Sequence, residues 1–397
     1  MLDYGEFFCH HIYIFKMFGL WKPDPKMKLK NLYLIYTTLC ISTWILFLLS
    51  QFIYMYKNLG NVEEVVSVLF LSGPFIVNLF KMLKIYSNFE SIKMLLKNLN
   101  NPLFQPNCDK HFECAEKSRK FHRNFFYLCL YLGVQTYLFF LILPFLRKEK
   151  MIPTPGWFPF DYNHSPCYEM VFIFQNIVVF WNDIICLNLD TFTSGLLMQI
   201  GMQCDFLSHS LNNLSAYRVR NGILVEQNNI AETSLCRKTF SEIVMENLVV
   251  CIQHHKKIKR TANEIEKLHK KTVFILFLGG GMIICSGLFQ LSTAKLGSIQ
   301  SFMLISYTAC MLIEQFMYCW FGNEVIDKSS KIFNSAYNIP WIQCDMKVKR
   351  TLLQFMTLTK YPIKLKVGGM IVMSNAVFVS VVKSSYSIFT LLKKIQK

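Results

Sequence analysis

The sequence predicts an all-α membrane protein with seven transmembrane helices, its N-terminus cytoplasmic and its C-terminus extracellular. The first reason is composition: 53% of the 397 residues are hydrophobic and only 17% are charged, too apolar for an ordinary soluble chain of this length. The second is a set of seven apolar stretches, each long enough for the roughly 20 residues that a bilayer crossing needs. The third is charge. Segments 1–30, 81–123, 204–271 and 324–366 hold 33 of the 42 Lys and Arg residues, while 57–64, 146–169, Lys295 and the tail from Lys383 hold nine. The basic side is cytoplasmic.

In order along the chain, "MLDYGEFFCHHIYIFKMFGLW" lacks a basic start and a small-residue cleavage site, so it reads as an interfacial amphipathic segment and not as a cleavable signal. The first span, 31–56, carries no charge. The second, from about Val65 to Tyr86, is broken by Gly73-Pro74. The third is 124–146. The fourth begins near Cys167 and continues past Trp181 despite Asp183 and Asp190. The fifth, 272–294, contains "GGG" at 279–281, which permits close helix packing. The sixth runs from Leu296 to Phe321 and the seventh over 367–392.

Several classes are excluded. The net charge of +17 is spread between spans and forms no single basic domain, so no nucleic acid is expected as a partner. Fourteen cysteines show no CxxC pair or Cys/His cluster, so neither a metal site nor a disulfide framework is expected. No Walker loop, HExxH or GxSxG occurs, so the chain is not expected to be an enzyme and needs no cofactor. Seven-helix G-protein-coupled receptors run in the opposite direction, and their Asp-Arg-Tyr and Asn-Pro-x-x-Tyr motifs are missing. A secondary transporter would show repeated halves, and none is visible. Asn163 begins a sequon on the outer side and is the expected glycosylation site; the sequon at Asn213 lies on the cytoplasmic side.

Charged residues in or near the spans need an account. An unpaired Asp183 at membrane depth is costly, so it is paired, protonated or turned to a wet cavity, with a structural role or one in ion conduction. Asp190 lies near the cytoplasmic interface, solvated or capped by a basic neighbour, and Glu314 and Glu324 are similar cases. In the last span, Ser380, Lys383, Ser384, Ser387, Thr390 and Lys394 fall on one side of a helix. A polar stripe within lipid must face protein or water, so it is either a packing seam or the wall of a pore. In "DMKVKRTLLQFMTL", Val348, Leu352 and Met356 recur at helical spacing among cations, consistent with an interfacial helix or a subunit contact.

"GLWKP", "WFPFD" at 157–161, "YCWFGNEV" at 318–325, "AYNIPWIQCDMKVKRTLLQFM" at 336–356 and "SSYSIFTLL" at 384–392 resemble, in order and spacing, the insect odorant receptor family. The resemblance implies an odorant-gated, non-selective cation channel: four subunits around one pore, an odorant-binding subunit assembled with a shared co-receptor, in the plasma membrane of sensory dendrites. The ending "SYSIFTLLKK" and the short 204–271 segment depart from the co-receptor pattern, so the chain reads as the tuning subunit. A gustatory-type channel or a chemoreceptor of related fold acting without a G protein is the alternative, although "SSYSIFTLL" lacks the Gln-Phe half of the gustatory signature.

Transferred onto this chain, the family's outer-half pocket takes Leu71, Ser72 and Phe75 from the second span, and Gly133, Tyr137 and Leu141 from the third. It takes Phe174, Ile177, Val178 and Trp181 from the fourth, and Phe302, Ser306 and Tyr307 from the sixth. Aromatic and aliphatic walls with few polar groups suit a volatile apolar ligand. The resemblance assigns the pore and gate to Ser384, Ser387, Ile388, Phe389, Thr390 and Leu392, with Phe389 at the family's narrow ring. The implied organisation is a cytoplasmic or interfacial segment 1–30, helices one to six over 31–322 with the ligand pocket and basic cytoplasmic loops, a cytoplasmic anchor over 323–366, and a pore helix with a short extracellular tail over 367–397, with membrane lipid around the spans.

Overall fold

The computed structural model describes residues 7–23, 29–146, 152–162, 164–220, 222–226, 239–295 and 297–396. Lipid offers backbone groups no water to bond, so an apolar chain satisfies them within helices. The helices are α1 (Cys9–Met17), α2 (Lys30–Lys57), α3 (Val62–Ser87), α4 (Phe89–Leu99), α5 (Asp109–Leu146), α6 (Cys167–Asn212), α7 (Phe240–Thr293), α8 (Ile299–Tyr337), α9 (Met346–Thr359) and α10 (Asn375–Gln396). Two antiparallel hairpins join them: β1 (Tyr217–Arg220) with β2 (Ile223–Glu226), and β3 (Lys366–Val367) with β4 (Ile371–Val372). Among the described residues, α2, α3, α5, α6, α7 and α8 are long and apolar enough to cross a membrane. α10 makes the seventh crossing, its 22 residues reaching about 33 Å.

α6, α7 and α8 have 46, 54 and 39 residues, far more than a bilayer of roughly 30 Å requires. Their surplus turns continue beyond lipid on the basic side. The 204–271 segment is therefore not a loop: α6 runs to Asn212, and α7 starts at Phe240 behind a capping box in which Thr239 and Glu242 bond each other's backbone. Hydropathy marks only the lipid-crossing part of a helix. The charged turns of α7 stay helical because Val244, Leu248, Cys251, Ile258, Ala262 and Ile265 bury one face.

α6 is the central helix, packed by α1, α5, α7 and α8, and residues 188–204 are buried without a break. The N-terminal segment sets one face of its helix into this core and leaves Tyr13 and Met17 exposed on the other. Phe8, His11, Phe15, Phe18 and Leu20 are buried, and His11 Nδ1 meets Asn188 Oδ1 of α6 at 2.8 Å. By contrast, Leu32, Ile35, Leu39, Leu46, Leu49 and Phe52 of α2 are exposed at steps of three, four and seven residues, one face of the helix, where lipid covers them.

Two further expectations change. α3 passes through Pro74 unbroken. One backbone hydrogen bond is lost there, but Pro74 is buried among neighbouring helices, and a Cβ on Gly73 would stand only 2.9 Å from Ile283, so the pair lets α3 pack closely on α7. The seventh helix begins at Asn375, not 367, because Gly368 and Gly369 take left-handed backbone at φ +61° and +84° and turn the β3–β4 hairpin. Leu296, the expected start of the sixth span, lies outside the described residues, and helix α8 starts at Ile299.

Candidate functional site

The three glycines of α7 organise the middle of the bundle. A Cβ on Gly279 would meet Val77 of α3 at 3.1 Å, one on Gly280 would overlap the Gln315 carboxamide of α8, and one on Gly281 would touch Ser385 of α10 at 3.4 Å. Successive residues on a helix point about 100° apart, so one short run receives three different helices.

The expected pocket residues divide into groups. Leu71 and Tyr307 join a separate outer cluster with Phe70, Phe140, Ile283, Met303 and Leu304. The Tyr307 ring lies 4.7 Å from that of Phe70 and 6.1 Å from that of Phe140, edge to face. Ser306 shares a 2.9 Å hydrogen bond with Thr136, joining α8 to α5. Tyr137 packs on Phe180 of α6 at 5.0 Å between ring centroids, and Gly133 admits Leu187. Phe174 and Val178 sit in or against the main core, and Leu141 is half-buried. Ser72 is buried, its hydroxyl donating to the Val68 carbonyl of its own helix. Phe75 turns to Phe47 of α2, and Trp181 to Phe18 of the N-terminal segment.

Ile177 and Phe302 are corrections: they are 45% and 56% exposed and point out of the bundle. Each lies on the lipid-side arc of its own helix, a phase that a transferred list of positions does not carry. Sequence reasoning missed Thr136, Phe70 and Phe140; Phe140, three residues after Tyr137, shares its helix face and was the legible signal. Inward of Tyr137, a cavity of about 40 Å³ lies between α5, α6 and α8, with Cys129, Leu132, Leu187, Cys310 and Met317 in its walls and Asp190 and Glu314 beside them. Ligand pockets are usually several-fold larger, so a ligand of odorant size needs side chains here to move.

Those carboxylates belong to a buried ionic group. Lys81 Nζ of α3 lies 2.6 Å from Asp190 Oδ1 of α6 and 2.5 Å from Glu314 Oε1 of α8. Tyr318 donates its hydroxyl to Asp190 Oδ1 at 2.7 Å, and Cys186 donates to Asp190 Oδ2 at 3.4 Å. Asp190 is not solvated; its basic neighbour comes from another helix and both are buried. Glu314 shares that neighbour, whereas Glu324 pairs with Lys328 one turn along α8 at 2.7 Å. Asp183 is half-buried, forms no ion pair among the described residues, and lies near Asn182, Tyr137 and Tyr307.

In α10, Ser380, Lys383, Ser384, Ser387 and Ile388 are exposed, while Ser385 is buried against Gly281. The helix-packing seam within the chain therefore runs through Ser385, and the polar stripe faces away from the chain's own bundle. The stripe hydroxyls donate to their own helix, Ser384 to the Ser380 carbonyl at 2.9 Å and Ser387 to the Lys383 carbonyl at 3.0 Å, leaving acceptor lone pairs outward. Thr390 is half-buried, as is Phe389, which contacts Tyr386 at 6.0 Å. The side chain of Leu392, and Asn163 altogether, lie outside the described residues. α9 buries Val348, Leu352, Phe355 and Thr359, with Met356 half-buried, and leaves Met346, Leu353, Leu358 and nearby Tyr361 exposed.

Comparison with known proteins follows the same outline. The family model described as "7tm Odorant receptor" matches residues 61–386. The chain is 24% identical over 408 residues to Odorant receptor Or1 of Anopheles gambiae, covering 99% of this chain and 96% of that one. It is 24% identical over 359 residues to Odorant receptor 46a, isoform A, of Drosophila melanogaster, covering 89% and 88%. The insect olfactory receptor OR5 from Machilis hrabei, solved in complex with eugenol, superposes with a TM-score of 0.82 at 13% identity, covering 99% of this chain and all of that one.

Proposed function

The chain belongs to the odorant receptor family and is a membrane chemoreceptor rather than an enzyme; from that premise we propose that it is the odorant-binding, tuning subunit of a ligand-gated cation channel. Four subunits, this chain together with a shared co-receptor, enclose one pore in the plasma membrane of sensory dendrites. The observation that carries this reading is the outward-facing stripe Ser380, Lys383, Ser384 and Ser387, opposite the intrachain seam at Ser385. An outward polar stripe at membrane depth requires water or another subunit, and a central pore supplies both.

The exposed apolar residues Met346 and Leu353 on α9 and Tyr361 just past its end support subunit contact on the basic side, where they would otherwise meet water. The ligand pocket lies in the outer half around Tyr137, Ser306 and Tyr307, with an apolar constriction near Phe389 as the gate. Asn163 is the glycosylation site of the outer side.

Expression with and without a co-receptor, with G-protein signalling blocked, tests the proposal. A fast odorant-evoked cation current that needs both chains is expected. A current that vanishes with the G-protein block overturns the channel reading.

A further inference from the structure

Beyond the membrane, on the side that charge makes cytoplasmic, three metal-ligating side chains converge that the channel reading does not use. Cys108 directly precedes α5, and His111 lies one turn into it, so both share a face. His209 comes from the last turn of α6. Their ligand atoms lie within 4.8 Å of one another, and Cys108 Sγ to His209 Nδ1 is 3.8 Å. Around tetrahedral zinc, with Zn–S about 2.3 Å and Zn–N about 2.0–2.1 Å, neighbouring ligand atoms stand roughly 3.5 Å apart. One pair is already near that spacing, and small side-chain rotations bring in the third.

The second observation is His111 itself. It is 3% exposed, and neither ring nitrogen makes a hydrogen bond of good geometry. An orphaned buried imidazole is costly and calls for a partner such as an ion or a water. Its ring is held parallel to Phe206, 4.4 Å between centroids, and close to the Phe206 carbonyl, the kind of neighbour that receives the second nitrogen of a ligating histidine. On His209 the nitrogen facing Cys108 is Nδ1, which the Tyr217 hydroxyl also approaches at 3.3 Å and would yield to a metal, while the Asn213 side chain holds Nε2 at 3.2 Å and fixes the ring. Beside His111, a cavity of about 10 Å³ has room for one water. His254 also borders that cavity, but its Nε2 is engaged by Gln203 Oε1 at 2.9 Å.

We propose that Cys108, His111 and His209 form a zinc site that staples the segment before α5 to the end of α6, with water as the fourth ligand. A thiolate with two imidazoles is a borderline-soft set suited to zinc, and a reducing cytoplasm keeps the thiol free. The other cluster of possible ligands, Cys186, Asp190 and Glu314, already has the Lys81 ammonium among its carboxylates. Sequence spacing carries no sign of such a site, because two of the ligands lie about a hundred residues from the third and only the folded chain joins them.

The full-length chain, solubilised with reductant, is titrated with Co²⁺ and then with Zn²⁺. About one equivalent of cobalt is expected, with thiolate-to-cobalt charge-transfer absorption that zinc abolishes. Cys108→Ser removes the thiolate band, while Cys251→Ser, a buried thiol outside the three, keeps it. In the unaltered protein, saturating zinc slows alkylation of Cys108 several-fold, a readout that requires no variant to fold. Absence of a thiolate band, a band unchanged in Cys108→Ser, binding that never saturates, or no protection of Cys108 overturns the site.

Discussion

Lys81 of α3 stands between Asp190 of α6 and Glu314 of α8, 2.6 and 2.5 Å away, so one ammonium ties three membrane helices together. All three groups are nearly out of solvent, at 4%, 4% and 11% side-chain exposure. Removing one partner of a buried ion pair leaves uncompensated charge and costs about 3–5 kcal/mol. Lys81→Met is therefore expected to lower the thermal stability of the detergent-solubilised protein and its surface expression. The triple variant Lys81→Met, Asp190→Asn, Glu314→Gln recovers most of the loss; if it is no more stable than Lys81→Met alone, stranded charge is not the cause.

Gly280 admits Gln315, and any side chain there collides with the carboxamide. Gly280→Leu forces α7 and α8 apart, at a cost of about 1–3 kcal/mol or more. Thermal unfolding of the purified protein measures this, with Gly60→Ala, at a position with open space around it, as the control expected to change little.

Tyr137 and Phe302 test where the wall of the proposed pocket ends. Tyr137 packs inward on Phe180, whereas Phe302 is 56% exposed. Tyr137→Ala is expected to shift odorant dose–response curves about ten- to hundredfold with assembly intact, and Phe302→Ala to leave them in place. Unchanged curves in Tyr137→Ala across several ligands would move the pocket to another face.

Along α10, Ser387→Cys is expected to react with small thiol reagents applied from outside to the open channel, while Ser385→Cys, 1% exposed in the native serine, stays protected. Phe389→Ala is expected to raise resting current, only in part if a co-receptor supplies the other sides of the constriction. Equal reactivity at positions 385 and 387 would show that the stripe does not distinguish pore from seam.

Much of the fold was legible before any coordinate. Lipid forces backbone groups to bond within a segment, so an apolar run such as 31–56 is a helix wherever it packs. The basic residues then set direction, and the polar stripe on α10 followed from a periodicity of 3.6 residues per turn, although only the folded bundle, with Ser385 against Gly281, turned that stripe outward. What sequence could not determine was anything that depends on one helix meeting another. Pro74 and Gly73 look like a break until Ile283 of α7 shows what the small residue accommodates. Ile177 and Trp181 are one turn apart on α6, yet one faces out and the other meets Phe18 from the N-terminal segment. The partner of Asp190 lies 109 residues away and that of Cys108 lies 101 away. Such pairings carry no local pattern. They arise where close-packed helices bring side chains together, and the cost of burying a charge or an imidazole alone selects the partner only once the bundle has formed.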